Sequence, residues 1–477
     1  MDREYAKVTD EVIAELKVIV GDNNVIFGDS EKLQDYKGDT FAALMPDIPG
    51  PEAAVKPETT EQVSRIMKLA NENNIPVTPR GAGSGLAGAA IADLGGIVLS
   101  LEKMNKIIEI DKTDRIAIVE AGVITNELCE KAEEAGLTYA GYPMSTHSSF
   151  IGGNVATNAG GGKVIRYGNT RMHILGLEVV LPSGEVIELG GRFRKSTWGY
   201  DLMHLMIGSE GTLGIITKVT VNLISGSGKT VDLIVPFPDI TSAVDSVAKI
   251  IVDGGIIPEA VEYMDRLCLT QAAKYHETTV PFMDNEDVVA FLIIQLLGDT
   301  QENLENLYEK AGEICLENGA LDVFVAESRA DSENIWKVRE EFGPGLGITG
   351  RMPVFGGDII VPFSKIPDIM QEIKNLEKKY NTEIPTVAHI ADGNLHSAIL
   401  KPEDVAPEDW RPLAEKIFDE MTEIAFKLGG IGSGEHGVGL LKKETFLKSK
   451  TEAELNIMRQ IKKAFDPNYI LNPGKIF

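Results

Sequence analysis

The stretch PRGAGSGLAGAA, starting at Pro79, carries Gly83-x-Gly85-x-x-Gly88, and a further glycine pair, Gly95-Gly96, follows almost at once. The spacing is that of a dinucleotide-binding turn, and Glu102 lies about where a ribose-binding acid of an NAD site belongs. A right-handed parallel crossover built on such a turn needs a helix before its next strand, and too little chain is present for one. Pro79 and Arg80 also crowd the turn. These residues suit a loop whose backbone N–H groups converge on a pyrophosphate without a following helix. Its glycines are needed for positive φ and for close backbone approach. An NAD-dependent Rossmann dehydrogenase is therefore the weaker reading.

A second segment, PMSTHSSFIGGNVATNAGGGKVIRYG from Pro143, begins about sixty residues later. It offers small hydroxyl and amide side chains among backbone that can approach a flat ligand, which suits a ring system and its ribityl chain. A third, Gly208-Ser-Glu-Gly-Thr-Leu-Gly214, follows. Three such stretches point to one large, extended cofactor.

At 477 residues the chain exceeds the usual single-domain size, so two or three domains are expected. Its 72 acidic and 46 basic residues give a net charge of −26, which argues against nucleic acid and anionic membrane surfaces as partners. The three cysteines, Cys129, Cys268 and Cys315, are far apart and offer no Fe–S cluster, zinc ribbon or disulfide framework. The N-terminal stretch lacks a basic leader with an apolar core, and no apolar run reaches membrane-spanning length. A cytoplasmic protein without a transmembrane segment is expected.

Apolar positions recur at helical spacing over 8–20 and 61–73, and strand-like runs occupy 97–101, 107–110, 116–119, 175–181, 186–189 and 213–221. A helix is expected over 125–135. Polar GSGK near 225–229 marks a boundary between folding units. Beyond it, strands over 231–236, 288–297, 322–326 and 387–390 alternate with helices over 240–253, 303–318 and 365–380, the pattern of an antiparallel sheet covered by helices. Helices over 410–428 and 452–465 close the chain.

Three of the seven histidines fall in two glycine-flanked segments, AHIADGNLHSAI around His389 and His396, and GSGEHG around His436. Two imidazoles and a carboxylate, Glu435, make a site for Zn²⁺ or a similar borderline divalent ion, with a histidine left over to move a proton. Asp392-Gly393-Asn394 is a turn signal between two apolar runs, so a hairpin would bring His389 and His396 to one sheet face. Packing of the two histidines near a sheet edge is the competing reading of that spacing.

Taken together, these motifs resemble the flavoproteins of the vanillyl-alcohol oxidase class, in the branch of glycolate oxidase large subunit, D-lactate dehydrogenase and D-2-hydroxyglutarate dehydrogenase. The resemblance covers nearly the whole chain. Residues 79–90 match the pyrophosphate loop, 151–160 the second flavin segment, 208–217 the strand along the ADP part, and the ending DPNYILNPGK the C-terminus, whose Asn472 corresponds to a polar residue near the flavin. The fold so implied is α+β: a two-subdomain FAD-binding domain (1–225), an antiparallel-sheet cap (226–428) and a C-terminal segment (429–477) that completes the FAD site.

By the same resemblance the FAD contacts are Pro79, Arg80, Gly81, Ala82, Gly83, Ser84, Gly85, Leu86, Pro143, Met144, Ser145, Gly152, Gly153, Asn154, Thr157, Asn158, Gly160, Gly161, Tyr167, Gly168, Glu210, Gly211, Ile215, Ile216 and Asn472. Members with covalent FAD often carry histidine where Ser84 stands, which implies non-covalent FAD here. His389, His396 and Glu435 would hold a divalent metal (Zn, Fe or Mn), and His436 would face the substrate hydroxyl. Arg339 resembles the arginine that grips the substrate carboxylate, and Arg351 is a second candidate. The lysine and threonine of the hydroxyglutarate enzymes are replaced by glycines near Gly343 and Gly356, which favours a smaller acid. The expected activity is oxidation of D-lactate to pyruvate. Glycolate and D-2-hydroxyglutarate are the alternative substrates, and a non-redox flavin-binding subunit is the alternative of another class. Electrons would pass to a protein acceptor such as an electron-transfer flavoprotein, in a hetero-oligomer.

Overall fold

A computed structural model describes residues 4–40, 48–226, 228–326 and 328–477. The chain forms two compact units, one comprising 1–160, 168–226 and 435–477, the other 161–167 and 227–434.

The first unit holds a four-stranded and a five-stranded sheet on one continuous apolar core, and a two-stranded pair, Leu137–Thr138 with Ile224–Ser225. A four-stranded sheet runs Val25–Phe27, Ala53–Val55, Ile97–Ser100, Val77–Arg80, and its last three strands are parallel. Val77–Arg80 and Ile97–Ser100 are thus parallel neighbours joined by the glycine loop alone, without a helix. That removes the Rossmann reading, because its pyrophosphate site is the N-terminus of the crossover helix. The C-terminal tail lies beside the same edge: Val77 N–H donates to the Ile470 carbonyl at 2.8 Å and Asn472 N–H to that of Val77 at 2.7 Å. Helix Glu452–Phe465 begins with a full capping box, Thr451 with Glu454. Buried Lys462 on it donates to Asp466, to the Thr212 carbonyl and to the Leu471 carbonyl.

The five-stranded sheet of this unit is antiparallel, in the order Ile107–Asp111, Ile116–Glu120, Ile215–Asn222, Ile174–Val180, Val186–Gly190. Against it packs Ile151–Thr157, a helix where the glycine-rich wording reads as loop. Gly152 is the reason it fits. A Cβ there would lie 2.5 Å from that of Ala121, so only glycine allows the helix this close to the sheet.

The second unit is an eight-stranded sheet in the order Phe324–Ala326, Lys229–Phe237, Ala290–Gly298, Ala260–Asp265, Thr386–His389, Asn394–Ile399, Val354–Phe355, with Ile359–Ile360 also paired to Asn394–Ile399. Ile240–Val252, Gln301–Glu317, Ile366–Tyr380 and Pro407–Lys427 pack on one face, and Arg266–Tyr275 and Arg329–Glu340 on the other. Strand Ala260–Asp265 and helices Arg266–Tyr275 and Arg329–Glu340 have no counterpart in the sequence reading. Among the described residues no helix is long and apolar enough to cross a membrane.

Candidate active site

In the first unit a pocket of about 1220 Å³, counting its open mouth, is walled by the loop after Val77–Arg80 and by helix Ile151–Thr157. The two walls approach so closely that a Cβ on Gly81 would lie 3.6 Å from the Gly153 Cα. Gly153 differs from its neighbour Gly152: a Cβ there would meet no protein atom within 4 Å and would project into open space. Gly83 has φ +75°, and the Arg80 guanidinium occupies the place a side chain on it would need. Arg80 is itself held by the Gly38 carbonyl at 2.7 Å and the Asp35 carbonyl at 3.3 Å, so its charge braces the loop from behind.

Glu435 and His436 line the same pocket, with His436 Nε2 3.8 Å from Glu435 Oε1. Their segment is anchored by Glu210, which accepts from the N–H groups of Val438 and Gly439, each at 2.7 Å. Burial pushes the Glu210 carboxyl above its usual range in spite of those two donors. Asn472 ties this anchor to the loop, donating to the Glu210 carbonyl at 2.7 Å and the Ala89 carbonyl at 2.9 Å.

In the second unit, strands Thr386–His389 and Asn394–Ile399 form the expected hairpin, with Gly393 left-handed at φ +82°. Val387 pairs with His396 and His389 with Asn394, so the alternation of strand side chains puts both histidines on one face. Their rings stand edge to face, 5.1 Å apart. His389 Nδ1 lies 2.7 Å from Oε1 of Glu262, which sits opposite it on Ala260–Asp265. Oε2 of Glu262 accepts from Arg339 Nε at 2.8 Å and lies 2.6 Å from Nη2. Glu262 is 0 % exposed. Burial alone would raise its pKa, but His389 and Arg339 outweigh burial and hold the carboxyl below its usual range. Fully buried Asp358 accepts from Asn394 Nδ2 at 3.0 Å and from Ser433 Oγ at 2.7 Å, and its carbonyl accepts from Gly434 N–H at 2.9 Å. It thereby fixes the two residues that precede Glu435 in the chain.

The sequence matches "FAD linked oxidases, C-terminal domain" over residues 229–476 and "FAD binding domain" over 51–190. It is 36% identical over 475 residues to the D-lactate dehydrogenase of Anaerostipes hadrus, covering 99% of this chain and 98% of that one. The chain belongs to the FAD-linked oxidase family, in the branch of FAD-dependent 2-hydroxyacid dehydrogenases. Glycolate oxidase subunit GlcD of Bacillus subtilis (strain 168) is likewise 36% identical, over 90% of this chain and 89% of that one. The fold matches substrate-bound p-cresol methylhydroxylase at TM-score 0.80 and 22% identity, over 98% of this chain and 96% of that one. This is the two-subdomain FAD-binding architecture of the vanillyl-alcohol oxidase class. The pocket of the flavoprotein fits FAD: its walls are rich in glycine and other small residues, and the open space at the Gly153 Cα is what a bound cofactor would fill.

Of the residues named from sequence as FAD contacts, 79–86, 143–145, 152–154, Thr157, Gly160, Glu210 and Gly211 line the pocket. Asn158, Gly161, Tyr167, Gly168, Ile215, Ile216 and Asn472 stand outside that lining. Asn158 is the left-handed C-cap of its helix, and its side chain accepts from Arg171 N–H. Ile215 and Ile216 are core residues, and Gly161 and Tyr167 belong to the second unit. Arg351 pairs with Glu383 and with the Lys401 carbonyl, past the end of Asn394–Ile399, which commits its guanidinium to holding that edge. Glu262 and Asp358 were missed. A lone acid in the apolar run AVEYM was the available signal for Glu262.

Proposed function

We propose that this flavoprotein oxidises D-lactate to pyruvate, with non-covalent FAD and a divalent metal. The observation that carries the reading is the pairing of His389 with buried Glu262. A metal-ligating histidine characteristically donates its other ring N–H to a carboxylate, which fixes the tautomer and makes Nε2 the lone-pair nitrogen. His389, His396 and Glu435 would hold the ion, whose contribution is Lewis acidity toward the substrate hydroxyl. Bound FAD supplies the two-electron acceptor for the hydrogen on the alcohol carbon.

The chain's own residues do the rest. His436 takes the hydroxyl proton, Arg339 pairs with the substrate carboxylate, and the Glu210 anchor holds the His436 segment in place. Gly343 and Gly356, which fall roughly where the hydroxyglutarate enzymes carry a lysine and a threonine, support a short acid over a dicarboxylate. The reoxidising partner we assign is an electron-transfer flavoprotein in a hetero-oligomer, because a net charge of −26 disfavours docking on an anionic membrane and three scattered cysteines suggest no Fe–S ligand set.

Anaerobic titration with D-lactate, L-lactate, glycolate and D-2-hydroxyglutarate tests the substrate. D-lactate should bleach the oxidised flavin band at the lowest concentration, and bleaching by glycolate or D-2-hydroxyglutarate in preference would reassign it. His436→Ala should keep its flavin and lose about 10²–10⁴-fold in reduction rate. A normal rate would take the base role from His436. Acid denaturation should release the yellow chromophore into the supernatant.

A further inference from the structure

Glu262 does more than neutralise one neighbour. We propose that it is a positioning residue coupling a metal ligand, His389, to the substrate-carboxylate anchor, Arg339. The inference rests on the roles assigned to those two residues above.

The geometry divides one carboxylate cleanly. Oε1 serves His389 Nδ1 at 2.7 Å, and Oε2 serves the Nε and Nη2 side of Arg339 at 2.8 and 2.6 Å. Because Arg339 is clamped along that edge, its planar fork presents the Nη1 edge in a fixed direction, which is what bidentate recognition of a second carboxylate requires. The imidazole is fixed by the same carboxylate. Gly162 packs against the pair with no room for a side chain: a Cβ there would come within 2.6 Å of Oε1 and 3.7 Å of His389 Nδ1. The cluster is also sealed: Glu262 is 0 % and Arg339 and His389 each 4 % exposed, so water does not stand in for a lost partner. Removing either partner would leave a buried charge uncompensated. Metal affinity and carboxylate affinity should therefore move together.

A merely stabilising ion pair would not produce that coupling, and a neighbour supplies the control. Glu259, the residue just before the same strand, is also buried and carries a lysine partner, Lys163 at 2.8 Å, but has no hydrogen bond to the histidines. FAD-loaded wild type, Glu262→Gln, Arg339→Gln and Glu259→Gln are stripped of metal by dialysis against a chelator. Each is then titrated with Zn²⁺ against a chromophoric competitor.

Glu262→Gln should weaken Zn²⁺ binding about 10–100-fold at unchanged flavin content. Arg339→Gln, which alters no ligand, should weaken it several-fold, and Glu259→Gln should leave it unchanged. Both first variants should also raise KM for D-lactate. Equal Zn²⁺ affinity in wild type and Glu262→Gln overturns the inference alone. If Glu262→Gln yields no folded protein, Arg339→Gln decides, and wild-type affinity in it overturns the coupling. Failure of the wild type to take up Zn²⁺ overturns the ligand set itself.

Discussion

Adjacent glycines in this chain do different jobs, and a substitution at each should fail differently. Gly152 lets a helix lie on a sheet, and Gly152→Ala should cost about 1–3 kcal/mol of stability by overpacking against Ala121, read as a lowered unfolding midpoint. Gly153 faces the pocket, so Gly153→Leu should fold normally and purify with little flavin. Full flavin occupancy in Gly153→Leu would mean that the ring system lies elsewhere. Both glycines were legible as a motif, but which of them guards the fold and which the ligand emerges only from what surrounds each Cα. Glu262 was illegible for a related reason. It stands 127 residues from His389, and nothing local marks a strand acid as the partner of a distant imidazole.

At the scale of elements, periodicity carried well where one face meets a core. The hairpin at 386–399, the helix ending at Phe465 and the five strands of the first unit's antiparallel sheet lie within a few residues of where apolar spacing and turn chemistry place them. It failed where small residues replace the apolar stripe, as in Ile151–Thr157, whose glycines look like a loop and pack like a helix. Short strands at 354–360 were hidden too, because glycines and Asp358 break their alternation. Asp358 is the residue that joins elements in the second unit, tying Asn394 of the hairpin to Ser433 and Gly434. Each hydrogen bond to a charged acceptor contributes about 1.5–3 kcal/mol. Asp358→Ala should accordingly lower the thermal midpoint and raise amide hydrogen exchange at 433–434, while Asp358→Glu keeps the charge but not the reach. Unchanged exchange there in Asp358→Ala would remove it from this role.

Across the whole molecule, chemistry is assembled from segments that are remote in sequence. The first unit is made of three stretches of chain, and its pocket draws on residues from Pro79 to His436. The FAD-sized pocket lies there, while the imidazole pair and Glu262 are built on one sheet of the second unit and the clamped arginine on helix Arg329–Glu340. Sequence motifs revealed the pieces, since each glycine loop and histidine lies in a short, distinctive string. The joining residues Asp358 and Glu262 were silent, and Glu210 was read as a flavin contact and not as an anchor, because a carboxylate gains its meaning from the donors that fold around it. The −26 charge gives one further expectation at this scale: electron delivery to a protein acceptor with a basic face should slow as ionic strength rises. Stopped-flow reoxidation in increasing salt reads it, and a salt-independent rate would remove charge from the encounter.

The most direct test of the account is an anaerobic flavin spectrum recorded on adding D-lactate, first to the purified protein, then after removal of divalent metal, then after its return. Bleaching that is lost with the metal and restored with it, at constant FAD content throughout, is the predicted result. Full bleaching of a metal-free protein at an undiminished rate would contradict it.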